Sequence, residues 1–317
     1  MKLKKIVISN LLLTSLVGCC LTQNTNFSVI VPTGAPSVAF ISKLNDENFD
    51  TNSVPNNIVA EMIKGTYDIA VVDLIGGLTA IKMKNAPYKL ASVITFGNFY
   101  IYSTGNDDNN IMEDNDNIVG FGQGNTPDIL FKHLYSNINI DTYLAGVSDV
   151  APIAASGVIN NEKVDYCIIA EPVLYNVLNN QKASTYGKGK EHSSFQDEWK
   201  IKHGEKSSIL GAAIYIKNDT YSEYSNQIDQ YLNSIKDDIN NYINDPSKPR
   251  DMLEKYGSKE EQAQKIGINS TVVKGVLEDD NSINIGYLAS NDENFDNIVK
   301  TYLNVVKPGI IDENNYL

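Results

Sequence analysis

The chain alternates short, wholly apolar runs with glycine- and proline-marked turns and longer helical stripes. The first run is Phe27-Ser28-Val29-Ile30-Val31, followed by Pro32-Thr33-Gly34-Ala35-Pro36 and an apolar helix through Leu44. Much later Ile118-Val119-Gly120-Phe121 runs into Gly122-Gln123-Gly124-Asn125-Thr126-Pro127, and a helix follows with Ile129, Leu130, Leu134 and Tyr135 at helical spacing. Proline suits the first helical position, where a backbone N–H has no partner. Downstream of each turn the pattern matches again. Asp68 leads into Ile69–Val72 and ends at Asp73; Asp165 leads into Tyr166–Ala170 and ends at Glu171. The proline-to-aspartate spacing is 32 residues in the first copy (36 to 68) and 38 in the second (127 to 165). Strand, turn, helix, helix, buried strand, acid: the unit occurs twice.

All-apolar strands imply parallel sheets covered by helices on both faces. The expected fold class is therefore α/β, with two lobes and the second copy inserted in the first. Ile209–Ile216 reads as the strand that returns to the first lobe. Tyr221–Asn244 reads as an amphipathic helix, with Tyr224, Ile228, Tyr231, Leu232, Ile235, Ile239 and Tyr242 on one stripe. The Asn/Asp stretch 106–117 reads as a linker and as the crossover between lobes. The hexapeptide Asn-Asp-Glu-Asn-Phe-Asp occurs at 45–50 and at 291–296. It lacks the glycine and terminal glutamate of a calcium loop, so it reads as a duplicated surface turn.

The start of the chain has a different character. Lys2, Lys4 and Lys5 precede an apolar run from Ile6 to Val17, and Leu16-Val17-Gly18-Cys19 follows. This is the layout of a secretory signal peptide over 1–18. The tetrapeptide resembles the lipobox of bacterial lipoproteins, which implies a lipid (palmitate-type) anchor on Cys19, with Cys20 the neighbouring alternative. Residues 19–26 would be a tether. An ordinary signal peptide or a single-span anchor is the other reading.

After cleavage, removal of three lysines lowers the formal charge from −13 to −16. Such a surface repels nucleic acid and anionic lipid, so neither is an expected partner. One arginine, Arg250, stands against 25 lysines, which disfavours a guanidinium clamp on an anion. Cys167 is the one cysteine of the body and lies in an apolar run, so no disulfide framework is expected. His133, His192 and His203 have no metal-ligand spacing, and no metal or cofactor is expected. Gly120-Phe121-Gly122-Gln123-Gly124 would be a dinucleotide fingerprint, with Asp141 about twenty residues on, but its third glycine should stand at 125, which is Asn. No nucleophile motif or P-loop occurs either.

In open α/β sheets ligands bind outside the carboxyl ends of the strands. That rule selects Thr33, Gly34 and Ala35 on one lobe, facing Gln123, Gly124, Asn125 and Thr126 on the other. Free N–H groups and helix dipoles there would hold a small polar or anionic group. Asp73 and Glu171 would accept from an amine, hydroxyl or ring N–H. The alternative is that both turns only cap helices and both acids are solvated.

Val31–Pro36, Thr95–Tyr102, Gly122–Asp128, Ala170-Glu171-Pro172 and Asp197-Glu198-Trp199, in that order, resemble the solute-binding lipoproteins of nitrate/sulfonate/taurine-type ABC importers. The resemblance covers most of the chain after the leader. It implies the two-lobed type II periplasmic-binding-protein fold, with two crossovers, hinge closure and lobes at 27–104 plus 207–317 and at 105–206. It adds Gly97 and Asn98 to the cleft, and Trp199 would either shape its rim or serve as core packing. It also implies a monomeric, non-enzymatic receptor anchored on the extracytoplasmic face of the cell membrane, with a small-molecule solute and a cognate permease as partners. Asp73-Leu74-Ile75 and Ser207-Ser208-Ile209 depart from the family pattern. With one arginine and several strand-end acids, a small organic solute, aromatic or amine-bearing, is expected over a bare inorganic anion. The competing readings are a ligand-less surface adhesin on this fold, or an enzyme such as a menaquinone-pathway dehydratase or a pyrimidine-precursor synthase. The synthase would need an iron-binding Cys/His cluster that is missing here, and either enzyme would be cytoplasmic.

Overall fold

The computed structural model describes residues 26–106, 111–183, 189–279 and 282–317. The leader 1–18, Cys19 and the tether through Thr25 lie outside the described residues. No described helix is long and apolar enough to cross a membrane.

The first lobe opens with β1 (Val29–Pro32), α1 (Ala35–Val38), β2 (Phe49–Asn52), α2 (Pro55–Lys64), β3 (Ile69–Asp73), α3 (Leu74–Lys84) and β4 (Tyr88–Thr95). The second lobe contains β5 (Phe99–Ser103), β6 (Ile118–Phe121), α4 (Thr126–Leu134), β7 (Thr142–Leu144) and α5 (Val147–Ser156). It continues with a small hairpin, β8 (Val158–Ile159) and β9 (Glu162–Lys163), then β10 (Tyr166–Ala170), α6 (Val173–Ala183), β11 (Lys190–Ser194) and α7 (Phe195–His203). The chain then returns through β12 (Ala212–Lys217) and α8 (Asn218–Asn244) to α9 (Ser247–Tyr256), α10 (Lys259–Ile266), α11 (Ser270–Lys274), β13 (Ile285–Ala289) and α12 (Phe295–Val306).

The strand orders are β13-β4-β12-β3-β1-β2 and β11-β5-β10-β6-β7. In each sheet three parallel strands lie side by side, β2-β1-β3 and β7-β6-β10, and an antiparallel strand that enters from the other lobe follows. The repeat seen in the sequence is thus a repeat of topology. The buried strands need no polar face: β1, β6 and β10 are buried throughout.

Two readings of the sequence are corrected. Strand β5 pairs with β10 and β11, so the chain crosses at Phe96-Gly97-Asn98 and residues 99–103 belong to the second lobe. The stretch 106–117, of which 111–117 is described, precedes β6 inside that lobe and is not the crossover. Short, partly polar edge strands at Phe49–Asn52 and Thr142–Leu144 also divide what reads as helix after helix.

The long helix forms on its apolar stripe, with Ile228, Ile235, Ile239 and Tyr242 buried, and kinks at Tyr224. The duplicated hexapeptide makes two tight turns that each bury a phenylalanine, Phe49 entering a strand and Phe295 entering a helix. Helix-face histidines His133 and His203 pair through their Nε2 atoms at 2.7 Å.

Candidate functional site

The carboxyl ends of all six parallel strands converge on a cavity of roughly 310 Å³ between the lobes. Thr33, Gly34 and Ala35 follow β1, Ser53 and Pro55 follow β2, and Asp73 ends β3. From the other lobe come Gly122 and Asn125 after β6, Ala145, Val147 and Ser148 after β7, and Ala170 and Glu171 at the end of β10. Phe99, Phe121 and five prolines (32, 36, 55, 127 and 172) make much of the wall apolar.

Of the residues picked from sequence, Thr33, Gly34, Ala35, Asp73, Gly97, Asn98, Asn125 and Glu171 line this cavity. Gln123 and Gly124 are exposed and stand outside its wall. Thr126 is fully buried beside it, because its hydroxyl donates to Asp73 Oδ1 at 2.6 Å across the lobe boundary. Trp199 is not on the rim. It is buried among His133, His203 and Tyr302.

The expectation of free N–H groups fails at five positions of the two turns. Thr33 N donates to Asn52 O at 3.1 Å and Gly34 N to Ile266 O at 2.8 Å. On the second turn Gly122 N donates to Leu144 O, Asn125 N to Gly122 O, and Gly124 N to Asp128 Oδ2 at 2.8 Å. These bonds close those parts of the backbone on itself and on distant segments, so the five N–H groups are already spent.

Asp73 caps α3 by accepting from Gly76 N at 2.9 Å while it accepts from Thr126. The surface it retains faces the cavity between the lobes. Burial pushes its carboxyl above the ordinary aspartate value, against hydrogen bonds from Thr126, Gly76 N and Ile75 N that favour the ionised form. Glu171 is 5% exposed, and its Oε2 accepts from Tyr175 N at 3.1 Å in the first turn of α6.

The two crossovers form the floor. Gly97 has φ +79°, and a Cβ there would stand 2.9 Å from Gln196 Oε1. The same Oε1 accepts from Ile209 N at 2.9 Å, and Gln196 Nε2 donates to Ser207 O at 3.1 Å, which fixes the returning strand. Asn98 spends its side chain on Asn284, accepting from its N–H at 2.7 Å and donating to its carbonyl at 3.2 Å. Asn98 is therefore a pin of the crossover as well as a lining residue. The one arginine is remote from all this, bound to Glu278 and Asp251.

This architecture has solved counterparts. The fold is that of the periplasmic binding proteins. An ABC transporter structure from Parabacteroides distasonis matches with a TM-score of 0.64 at 17% identity, over 90% of this chain and 94% of that one. The periplasmic aliphatic sulphonate binding protein of Escherichia coli matches with a TM-score of 0.60 at 11% identity, over 92% of each chain. A Candida albicans protein described as exhibiting the generic periplasmic binding protein fold matches with a TM-score of 0.57 at 10% identity, over 90% and 91%. No protein-family model and no curated protein matches the sequence. At such identities the likeness is one of fold.

Proposed function

We propose that the chain is the extracytoplasmic solute-binding component of an ABC importer. It captures a small organic solute between its lobes and presents it, lobes closed, to a cognate membrane permease. The observation that carries this reading is the cavity itself. It lies where two copies of one α/β unit point six strand ends at each other, and the chain passes between the copies by two crossovers, which suits hinge closure. The leader and Cys19 supply the export signal and the lipid anchor on the outer face of the membrane, and the receptor works as a monomer.

The test is a thermal-shift screen of residues 21–317, unfolded and refolded to strip bound solute, against amines, heterocycles, amino acids, sulfonates and nitrate. A ligand at one hundred times its dissociation constant adds about 2.7 kcal/mol of stability. Such a shift, with a decrease in radius of gyration, supports capture and closure. A well-folded protein that neither responds nor carries a solute when purified natively refutes the receptor reading.

A further inference from the structure

Helix α6 packs on α5 and β10 of its own lobe, with Leu174 and Val177 buried. Tyr175 stands about 100° round the helix from Leu174. It joins the apolar cluster of the first lobe instead. Its seat there is Gly275, the first residue of the π-helical turn Gly275–Asp279 that follows α11. A Cβ on Gly275 would stand 1.9 Å from Tyr175 Cζ and 2.1 Å from its hydroxyl oxygen. The far end of the ring thus fills the place that a side chain would take.

The backbone gives no reason for glycine at this point. Gly275 has φ −57° and ψ −51°, ordinary right-handed helix, and its N–H donates to Thr271 O and Val272 O. Alanine is the better residue in such a conformation, so what glycine contributes here is room for the ring. The same pairing occurs inside the first lobe. A Cβ on Gly77 would stand 2.2 Å from Tyr215 Cζ, but Tyr215 is fully buried and its hydroxyl donates to Leu74 O at 2.8 Å. That ring is a fixed part of one core. Tyr175 is half-buried and reaches its glycine across the lobe boundary.

The pair also adjoins the cavity. Glu171, Pro172 and Val173 line its wall, and Glu171 Oε2 accepts from Tyr175 N at 3.1 Å. Gln264 and Gly267, on the segment that leads to α11, line it from the first lobe. One turn of α6 therefore bounds the cavity on one side and grips the opposite lobe on another.

We infer, resting on the receptor reading above, that Tyr175 and Gly275 form a releasable clasp. The ring seats on the first lobe when the lobes meet around a solute and leaves that seat when they part. The balance between open and closed lobes in the free chain is set in part by this contact. It is separate from the bond between Thr126 and Asp73, which joins α4 to the end of β3.

The experiment is a double-mutant cycle on the chain used for the thermal-shift screen. Gly275→Ala fills the seat without straining the backbone, Tyr175→Ala removes the ring, and the double variant has neither. Small-angle scattering reads the radius of gyration, about 19 Å for a compact chain of this length. Gly275→Ala should enlarge it in the parent and leave it unchanged in the Tyr175→Ala background. The urea midpoint should fall with Gly275→Ala in the parent and rise in the Tyr175→Ala background, where helix propensity alone remains. Release is read by nitration with tetranitromethane and peptide mapping. Tyr175 should react at least threefold faster in the stripped parent than in the parent saturated with a solute that answers in the screen. A Gly275→Ala chain as compact as the parent, an equal effect with and without Tyr175, or equal nitration rates overturns the clasp and leaves the receptor reading standing. No response to any member of the screen, together with no natively bound solute, overturns both.

Discussion

Asp73 and Glu171 end equivalent strands, β3 and β10, each the outer member of its lobe's parallel triplet and each followed by a helix whose first turn it caps. Their surroundings differ in one respect. Asp73 reaches across the boundary to Thr126, whereas Glu171 accepts from Tyr175 N in the helix that follows it, and both line the cavity. A repeat of topology therefore yields a latch between lobes in one copy and an acid of the cavity wall in the other. The same asymmetry runs through the rest of the molecule. All three histidines and the single tryptophan lie in the second lobe, and the single arginine lies in the first. What the duplication preserved is the backbone arrangement at the strand ends; side-chain roles diverged upon it.

The largest test of that comparison asks whether the lobes are one cooperative unit. Phe195 is fully buried in the second lobe, within 6.4 Å of Phe99, Phe131 and Tyr135 by ring centroids. Phe195→Ala should cost about 3–5 kcal/mol. If the lobes unfold separately, Trp199 fluorescence will show an early transition that far-ultraviolet circular dichroism shows only in part; coincident curves would mean one unit. Next comes the latch. Thr126→Val removes a donor from a buried carboxylate and should cost about 1–3 kcal/mol, with a larger radius of gyration in scattering. Glu171→Gln should leave that radius unchanged, and equal expansion in both variants would erase the distinction between the two acids.

A smaller effect is expected at the crossover. Gly97→Ala meets a left-handed φ and Gln196 Oε1, for about 1–2 kcal/mol and slower closure in stopped-flow mixing. The smallest effect, and the most informative in sign, compares Asp73 with Asp128. The folded carboxyl of Asp73 titrates above its ordinary value of 3.8 because burial dominates. Its contribution is thus full below that value and is lost as the pH rises through the raised one. Asp128 is also pushed up by burial, but hydrogen bonds from Tyr143, Lys132 and Gly124 N outweigh this and hold it below 3.8. Its contribution is present above 3.8 and is lost as the pH falls. Urea midpoints between about pH 3 and pH 7 should therefore show Asp73→Asn growing less harmful towards neutrality and Asp128→Asn more harmful.

Much of this was legible in the sequence because burial on both faces forces apolar runs. Val29–Val31, Ile69–Val72 and Tyr166–Ala170 announce themselves, and so do the proline-marked turns and the strand-end acids. The edge strands did not. Phe-Asp-Thr-Asn and Thr-Tyr-Leu are short and carry polar residues, which hid the loops that bring Ser53 and Ser148 to the cavity. The first crossover was hidden for a related reason. In the sequence the lobe boundary reads as falling after residue 104, and the pin that sets it earlier, Asn98 to Asn284, spans 186 residues. The satisfaction of the turn N–H groups was equally out of reach, since Gly34 finds its acceptor at Ile266.

The bond between Thr126 and Asp73 has a consequence for timing. It joins the lobes beside the cavity through protein groups alone, so in the proposed receptor part of the stability of this lobe arrangement belongs to the shell and is the same for every occupant. Each captured molecule, however loosely it fits, meets that common barrier before it can leave. Residence times should accordingly all be lengthened by a common factor, and weakening the shell's grip would quicken release for all cargo alike.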